Sequence, residues 1–279
     1  MATHRALFDA LRAHDAAALS ALYAADASVD LGPGLGAAHG PDEVAALARR
    51  LFAAFPDSKA QWGKALQSGD AIAVELGWTG TEQGTKKVVG TAALVVERFA
   101  PDGRIRSQHV CLAADALAAD IATRAGKPHP FAGLPTMQTS VPDGAVAGAR
   151  DGSEASLMLE SFADGRHLAL ANDADASSAW VDLVSGRTRT GIEAVRAWLA
   201  SVRVAFPGAG QQIAKGWVAG AWAVEELAVM PAAAASPDAL REIDLVRFEG
   251  GRIAEVRSCR SGSKAGESAA GRRRGPASR

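Results

Sequence analysis

The sequence predicts an α+β protein of two tandem cone-shaped domains, each with three N-terminal helices packed on a curved antiparallel β-sheet. Three observations carry this expectation. Gly40–Leu76 recurs without a gap, 151 positions on, as Gly191–Leu227, with Val44, Phe55, Pro56, Gln61, Lys64, Gly69 and Glu75 meeting identical residues at Val195, Phe206, Pro207, Gln212, Lys215, Gly220 and Glu226. Within each copy the apolar period is helical before the Phe-Pro pair and becomes two after it. Residues 126–153, rich in Pro, Gly and Ala and without periodicity, separate the copies as a linker. A period near 150 residues is the size of a domain, far above the roughly 20–50 of a solenoid repeat. The expected division is 1–125, a linker 126–153, 154–261 and a disordered basic tail 262–279.

In chain order, Thr3 can cap a first helix carrying Leu7, Phe8 and Leu11, and Asp15 caps a second with Leu19, Leu22 and Tyr23 on one face. Val29-Asp30-Leu31 reads as a short strand, followed by a Gly- and Pro-rich loop. Pro41 suits a first helical turn, Asp42 and Glu43 suit the positive end of its dipole, and Val44, Leu47, Leu51 and Phe55 form the apolar face before Pro56 stops the helix. Ile72, Val74, Leu76 and Trp78 then alternate with Ala71, Ala73, Glu75 and Gly77, with further strands over 86–99 and 104–112 and a last helix over 113–125. Glu75 falls opposite the apolar set, toward solvent or a domain interface. The second copy repeats the order: helices 155–164, 166–175 and 191–205, the strand-like Val181-Asp182-Leu183, and strands near 211–219, 221–230, 240–248 and 252–260. The upstream match, Val29-Asp30-Leu31 to Val181-Asp182-Leu183, has an offset of 152. Downstream, Arg98-Phe99 and Cys111 answer Arg247-Phe248 and Cys259.

A net charge of −1 provides no global basic field for nucleic acid or an anionic membrane, and Arg272-Arg273-Arg274 lies in the solvated tail. No apolar run reaches membrane-spanning length, and the start Met-Ala-Thr-His-Arg lacks a signal pattern, so a cytoplasmic location is expected. The two cysteines hold matching positions in separate copies, where they are expected to remain unpaired in a reducing compartment. His39 and His129 fall in loops without ligand spacing, so no metal and no cofactor are expected.

The element order, with Phe55-Pro56-Asp57, Gly69-Asp70, Trp78–Gly84 and Asp102–Ile105, resembles the SnoaL-like polyketide cyclases of the nuclear transport factor two-like, ketosteroid-isomerase-like superfamily. The resemblance covers about residues 5–125 and, more weakly, 155–260. It implies a cavity between sheet and long helix, and cofactor-free proton transfer by an acidic residue on an apolar, carbonyl-bearing substrate. At the positions the family uses, this chain has Ala113 for the aspartate and Glu82 for a histidine, while His109 falls where the family has a tryptophan. His109 is thus the substitute acid/base of the first copy, with Asp30 as a second polar group, or else an outward strand histidine. Phe55, Trp62 and Trp78 are the expected cavity wall.

The second copy resembles ketosteroid isomerase at two places. Asp182 precedes the helix-opening Gly191 by nine residues, as that family's general base does, and Ile243–Phe248 matches the strand bearing its protonated, oxyanion-stabilising aspartate, here Asp244. Met158 stands near the family's tyrosine. Phe206 and Trp217 are expected among the apolar surroundings. The alternative for Asp182 is a loop cap, and for Asp244 an exposed strand carboxylate. The expected function is therefore cyclisation or double-bond isomerisation of a small apolar molecule, with the two copies packed as an intramolecular pseudo-dimer. The competing class is a non-catalytic binding or scaffold protein with degenerate cavities.

Overall fold

The computed structural model describes residues 2–31, 37–112, 146–147, 174–183, 187–193, 196–197, 210–230, 240–250 and 252–261. Helix α1 (Ala2–Ala13) and α2 (Ala16–Ser20) open the first domain, and Asp15 caps α2 by accepting from the backbone N–H of Ala17 and Ala18. Strands β1 (Tyr23–Asp30) and β2 (Ala37–His39) lead to α3 (Gly40–Ala54), which Gly40 opens at φ +68°. Four long strands follow: β3 (Lys59–Ser68), β4 (Ala71–Thr81), β5 (Val88–Phe99) and β6 (Ile105–Leu112). Strand β3 has no counterpart among the first-copy elements expected from periodicity, because its apolar residues straddle a bulge between Trp62 and Ala65 that breaks the alternation.

The first sheet runs β2-β1-β6-β5-β4-β3-β7, where β7 is the short Val146–Ala147. The second, of β8 (Ala174–Asp182), β9 (Arg187–Thr190), β10 (Gly210–Ala219), β11 (Trp222–Met230), β12 (Leu240–Glu249) and β13 (Arg252–Ser261), runs β10-β11-β12-β13-β8-β9. Read from opposite ends, the six principal strands have the same order. Both sheets are mixed rather than wholly antiparallel. In each, the first strand pairs parallel to the last (β1 with β6, β8 with β13), since a long excursion of chain separates them. The expected helix 113–125 and the helices 155–164 and most of 166–175 lie outside the described residues, although 174 and 175 begin β8. Among the described residues no helix is long and apolar enough to cross a membrane.

One face of the first sheet carries the helices. Leu7, Leu19, Val44 and Ala48 pack on Ala27, Val29 and Ile105, while Phe8 packs with Trp62, Ile72 and Val74. The opposite face meets the second sheet: Ala73, Leu94 and Val96 share one apolar cluster with Val224, Ile243 and Leu245. Strand β13 lies against β5 and β6, β12 against β6, and β10 against β3.

Candidate functional site

The helix-facing side of the first sheet holds a buried polar chain. His4 of α1, fully enclosed, places Nδ1 2.7 Å from Glu97 Oε2. Gln108 Nε2 donates to the other oxygen of Glu97 at 2.9 Å, and the hydroxyl of Tyr23, the only tyrosine in the chain, donates to Gln108 Oε1 at 2.9 Å. Burial, and then the negative charge of Glu97, push the Tyr23 hydroxyl far above its ordinary range, so it stays a donor. His4 meets Trp62 edge to face with ring centroids 4.1 Å apart, and Phe8 flanks the same indole. His4 Nε2 and Trp62 Nε1 have no hydrogen-bond partner. Sequence reasoning missed His4, Glu97 and Gln108. The signal existed: His4 shares helical spacing with Leu7, Phe8 and Leu11, and Glu97 alternates in phase with Val95 and Phe99.

On the second sheet, strand register aligns four polar residues in one row. Asp182 pairs with Ser258 across β8 and β13, Ser258 with Asp244 across β13 and β12, and Asp244 with Glu225 across β12 and β11. Paired residues share a face, so Asp182 and Asp244 flank Ser258 on one side of the sheet. Trp180 Nε1 donates to Ser258 Oγ at 2.7 Å, and Arg260 holds Glu242 through two hydrogen bonds of 3.0 and 3.1 Å. Asp244 and Glu225 are completely enclosed, and none of their four carboxyl oxygens has a hydrogen-bond partner. Burial, followed by the charges of Glu242 and Glu225, raises Asp244 well above the carboxylate range, against the pull of Arg260. Burial with Glu242 beside it pushes Glu225 up to about 8.

Three expected site residues lie elsewhere. His109 is on the face turned to the second sheet, with Nδ1 against Glu226 Oε2 across the domain boundary, and not among the helix-facing residues. Asp30 pairs in register with His109 on that same face, because Val29 and Gln108 occupy the other. Trp217 packs on the cluster between the sheets rather than beside Asp244. Phe206 lies outside the described residues. Phe55 and Trp78 do meet, edge to face at 4.5 Å. Cys111 and Cys259, expected to remain apart, form a disulfide with Cα atoms 5.9 Å apart; the faces that carry them are packed together, which the domain-by-domain reading did not anticipate.

The model of the SnoaL-like domain matches residues 4–108. Among solved structures, a hypothetical protein with a ketosteroid isomerase-like fold from Catenulispora acidiphila, in complex with trimethylamine, is 19% identical over 44% of this chain and 93% of its own, with a TM-score of 0.40. IdmH of Streptomyces antibioticus, a candidate polyketide cyclase, is 24% identical over 44% of this chain and 97% of its own, with a TM-score of 0.38. A candidate polyketide cyclase from Sinorhizobium meliloti is 21% identical over 39% and 94%, with a TM-score of 0.34. No curated protein matches the sequence. Residues 4–108 are thus similar to a SnoaL-like domain, and the second sheet repeats the strand order of the first, in keeping with two tandem α+β units.

Proposed function

We propose that the protein is a cofactor-free proton-transfer enzyme, a cyclase or double-bond isomerase, acting on a small apolar molecule that bears a carbonyl. The observation that carries this reading is the register that sets Asp182 and Asp244 on one face, two strands apart, with Asp244 enclosed and without a partner. Adjacent strands lie about 4.8 Å apart, so the two backbones are roughly 10 Å from each other, a span that a small ketone bridges. Asp182, half-buried, is the base that takes the proton α to the carbonyl. Asp244, kept neutral by burial, donates its O–H to the enolate oxygen. Separated environments give the two acids separate roles.

The test is isotope exchange α to a bound ketone. Asp182→Asn slows it by about 10²–10⁴-fold, the scale of removing a positioned base. Asp244→Ala weakens binding of a phenolate by about 2–4 kcal/mol, the scale of one oxyanion donor. Wild-type exchange and binding in both variants would overturn the reading. One observation favours the competing class of a non-catalytic binding protein: Trp217, expected around the acids, packs on the cluster between the sheets instead.

The proposal includes the division into 1–125 and 154–261, and the association of these two copies as an intramolecular pseudo-dimer. Glu75 of the first copy meets Arg257 of the second, and its counterpart Glu226 meets His109, the counterpart of Arg257. Such exchange of equivalent contacts is what a two-fold interface requires. A cytoplasmic location also belongs to the proposal. The Cys111–Cys259 disulfide runs against it, since the cytoplasm favours reduced cysteines, and thiol labelling of protein from freshly lysed cells decides: free Cys111 and Cys259 support the location and an intact disulfide overturns it.

A further inference from the structure

We infer that the outer edge of β10, at Trp217 and Val218, is a strand-docking site, and that Ala269 and Ala270 of this chain's C-terminal segment fill it as a short parallel strand. The first sheet sets the pattern. There β7, Val146–Ala147, lies parallel on the outer edge of β3 and pairs with Leu66 and Gln67. Strand β10 is the counterpart of β3. Leu66 faces Ala73 as Trp217 faces Val224, and a bulge follows Trp62 as one follows Ile213. Among the described residues nothing pairs with the outer side of β10. Ala65 and Leu66, beside β7, are buried, whereas their counterparts Gly216 and Trp217 are exposed and half-buried.

The outward N–H and C=O groups of an open edge are a template for any extended chain, so such an edge is charged, covered or paired. Gly216, Trp217 and Val218 supply no charge. A short strand laid along them takes its affinity from backbone hydrogen bonds, as β7 does on β3.

The C-terminal segment fits in sequence, direction and reach. Val146-Ala147-Gly148-Ala149-Arg150, around β7, is echoed by Ala269-Ala270-Gly271-Arg272-Arg273: two apolar residues, a glycine, and an arginine two positions further on. Strand β13 ends at Ser261, which is level with Gln212 through Arg241 and Ala228. Chain that leaves there and passes outside β10 runs on toward Trp217 in the direction of β10 itself, the parallel sense of β7 on β3. From that level the place beside Trp217 is four strand spacings across and four residues along β11, about 24 Å in a straight line. The eight residues from Ser261 to Ala269 extend to about 26–29 Å.

The experiment is amide hydrogen exchange of the full chain, read by mass spectrometry on peptides that cover residues 216–219. The outward amides are protected in the wild type. A269P/A270P, which removes both N–H donors of the docked pair, speeds their exchange at least about tenfold. The amides of β11 and β12 keep their wild-type rates, because the docked strand touches neither. A chain ending at Ser261 loses the same protection, and the synthetic peptide of residues 262–279 restores it. Unchanged exchange over 216–219 in A269P/A270P would overturn the inference, as would outward amides that exchange freely in the wild type. Protection that fades on about hundredfold dilution of the wild type would also overturn it, since a second copy would then be the occupant.

Discussion

Glu225 and Asp244 face each other on neighbouring strands with every carboxyl oxygen unpartnered, and this makes their protonation part of the folding equilibrium. Glu225 starts from 4.5 and is raised to about 8 when folded. Between those values the folded chain keeps a proton that the unfolded chain has released. Stability is therefore greatest at and below about pH 4.5 for this group and falls as pH rises to about 8, by at most about 1.4 kcal/mol per pH unit, before levelling off. Asp244 shifts in the same direction and adds to the slope. Glu226 runs the other way. Burial raises it, but hydrogen bonds and charge from His109 and Arg98 win, so its contribution is present above its ordinary value and is lost only in stronger acid. Denaturant midpoints at pH 5, 6.5 and 8 should fall steadily in the wild type, and Glu225→Gln should flatten the decline. A wild-type midpoint that rises over this window would show that the carboxyls are ionised in the folded state. The sequence identified Asp244 through its strand, but not Glu225. A carboxylate at a core position of alternation reads equally as a strand whose other face is the polar one, and only the cross-strand register shows which is buried.

Register also decides what the repeat means at the level of strands. Val29-Asp30-Leu31 and Val181-Asp182-Leu183 match at an offset of 152, yet Asp30 pairs with His109 while Val181 pairs with Arg257. Arg257 is the counterpart of His109, since Cys111 and Cys259 fix the offset there. The structural partner of Asp30 is thus Val181, and a one-residue slip turns Asp182 to the opposite face from Asp30. The element order, the Asp15 cap, α3 and the long strands were legible because periodicity, caps and Phe55-Pro56 are local signals. The side each polar residue takes was not, because it depends on pairing between distant strands. Glu75 shows the same dependence. It bonds to Arg257 at 2.7 Å with both groups nearly enclosed, whereas His109 beside Glu226 is 36% exposed. Removing one partner of a desolvated pair strands the other charge, so Glu75→Gln should cost about 3–5 kcal/mol. His109→Gln, at the wetter pair, should cost about 1 kcal/mol or less. Gly63 leaves room for the Glu75 carboxylate, whose atoms a Cβ at that position would overlap, and Gly63→Ala should therefore resemble Glu75→Gln in thermal denaturation. Equal losses at Glu75 and His109 would mean that the first pair is no drier than the second.

At the scale of the whole molecule, the question is what keeps the two sheets together. Three kinds of contact cross between them: the apolar cluster of Leu94 and Val96 with Ile243 and Leu245, the ion pairs of Glu75 and Glu226, and the Cys111–Cys259 disulfide with a sequence separation of 148. They act through different states of the chain. Apolar burial and the ion pairs stabilise the folded contact directly, while the disulfide mainly restricts the unfolded chain, by about 2–5 kcal/mol for a loop of this length. Lys64 reinforces the contact by lying 4.3 Å above the Trp222 ring, and burial lowers its tendency to hold a proton. Reduction should therefore weaken the fold without parting the sheets. A protease site introduced within residues 126–153 makes the two roles separable. After cleavage, the oxidised protein should run as one band in denaturing electrophoresis and as two bands on reduction. Under native reducing conditions the halves should still elute together, with the scattering radius of the uncut chain, because the apolar cluster and the Glu75–Arg257 pair remain. The C111S/C259S protein should unfold about 2–5 kcal/mol more easily and keep the same radius. If the reduced halves elute separately at micromolar concentration, the disulfide is the principal tie, and the buried face between the sheets contributes far less than its apolar composition implies.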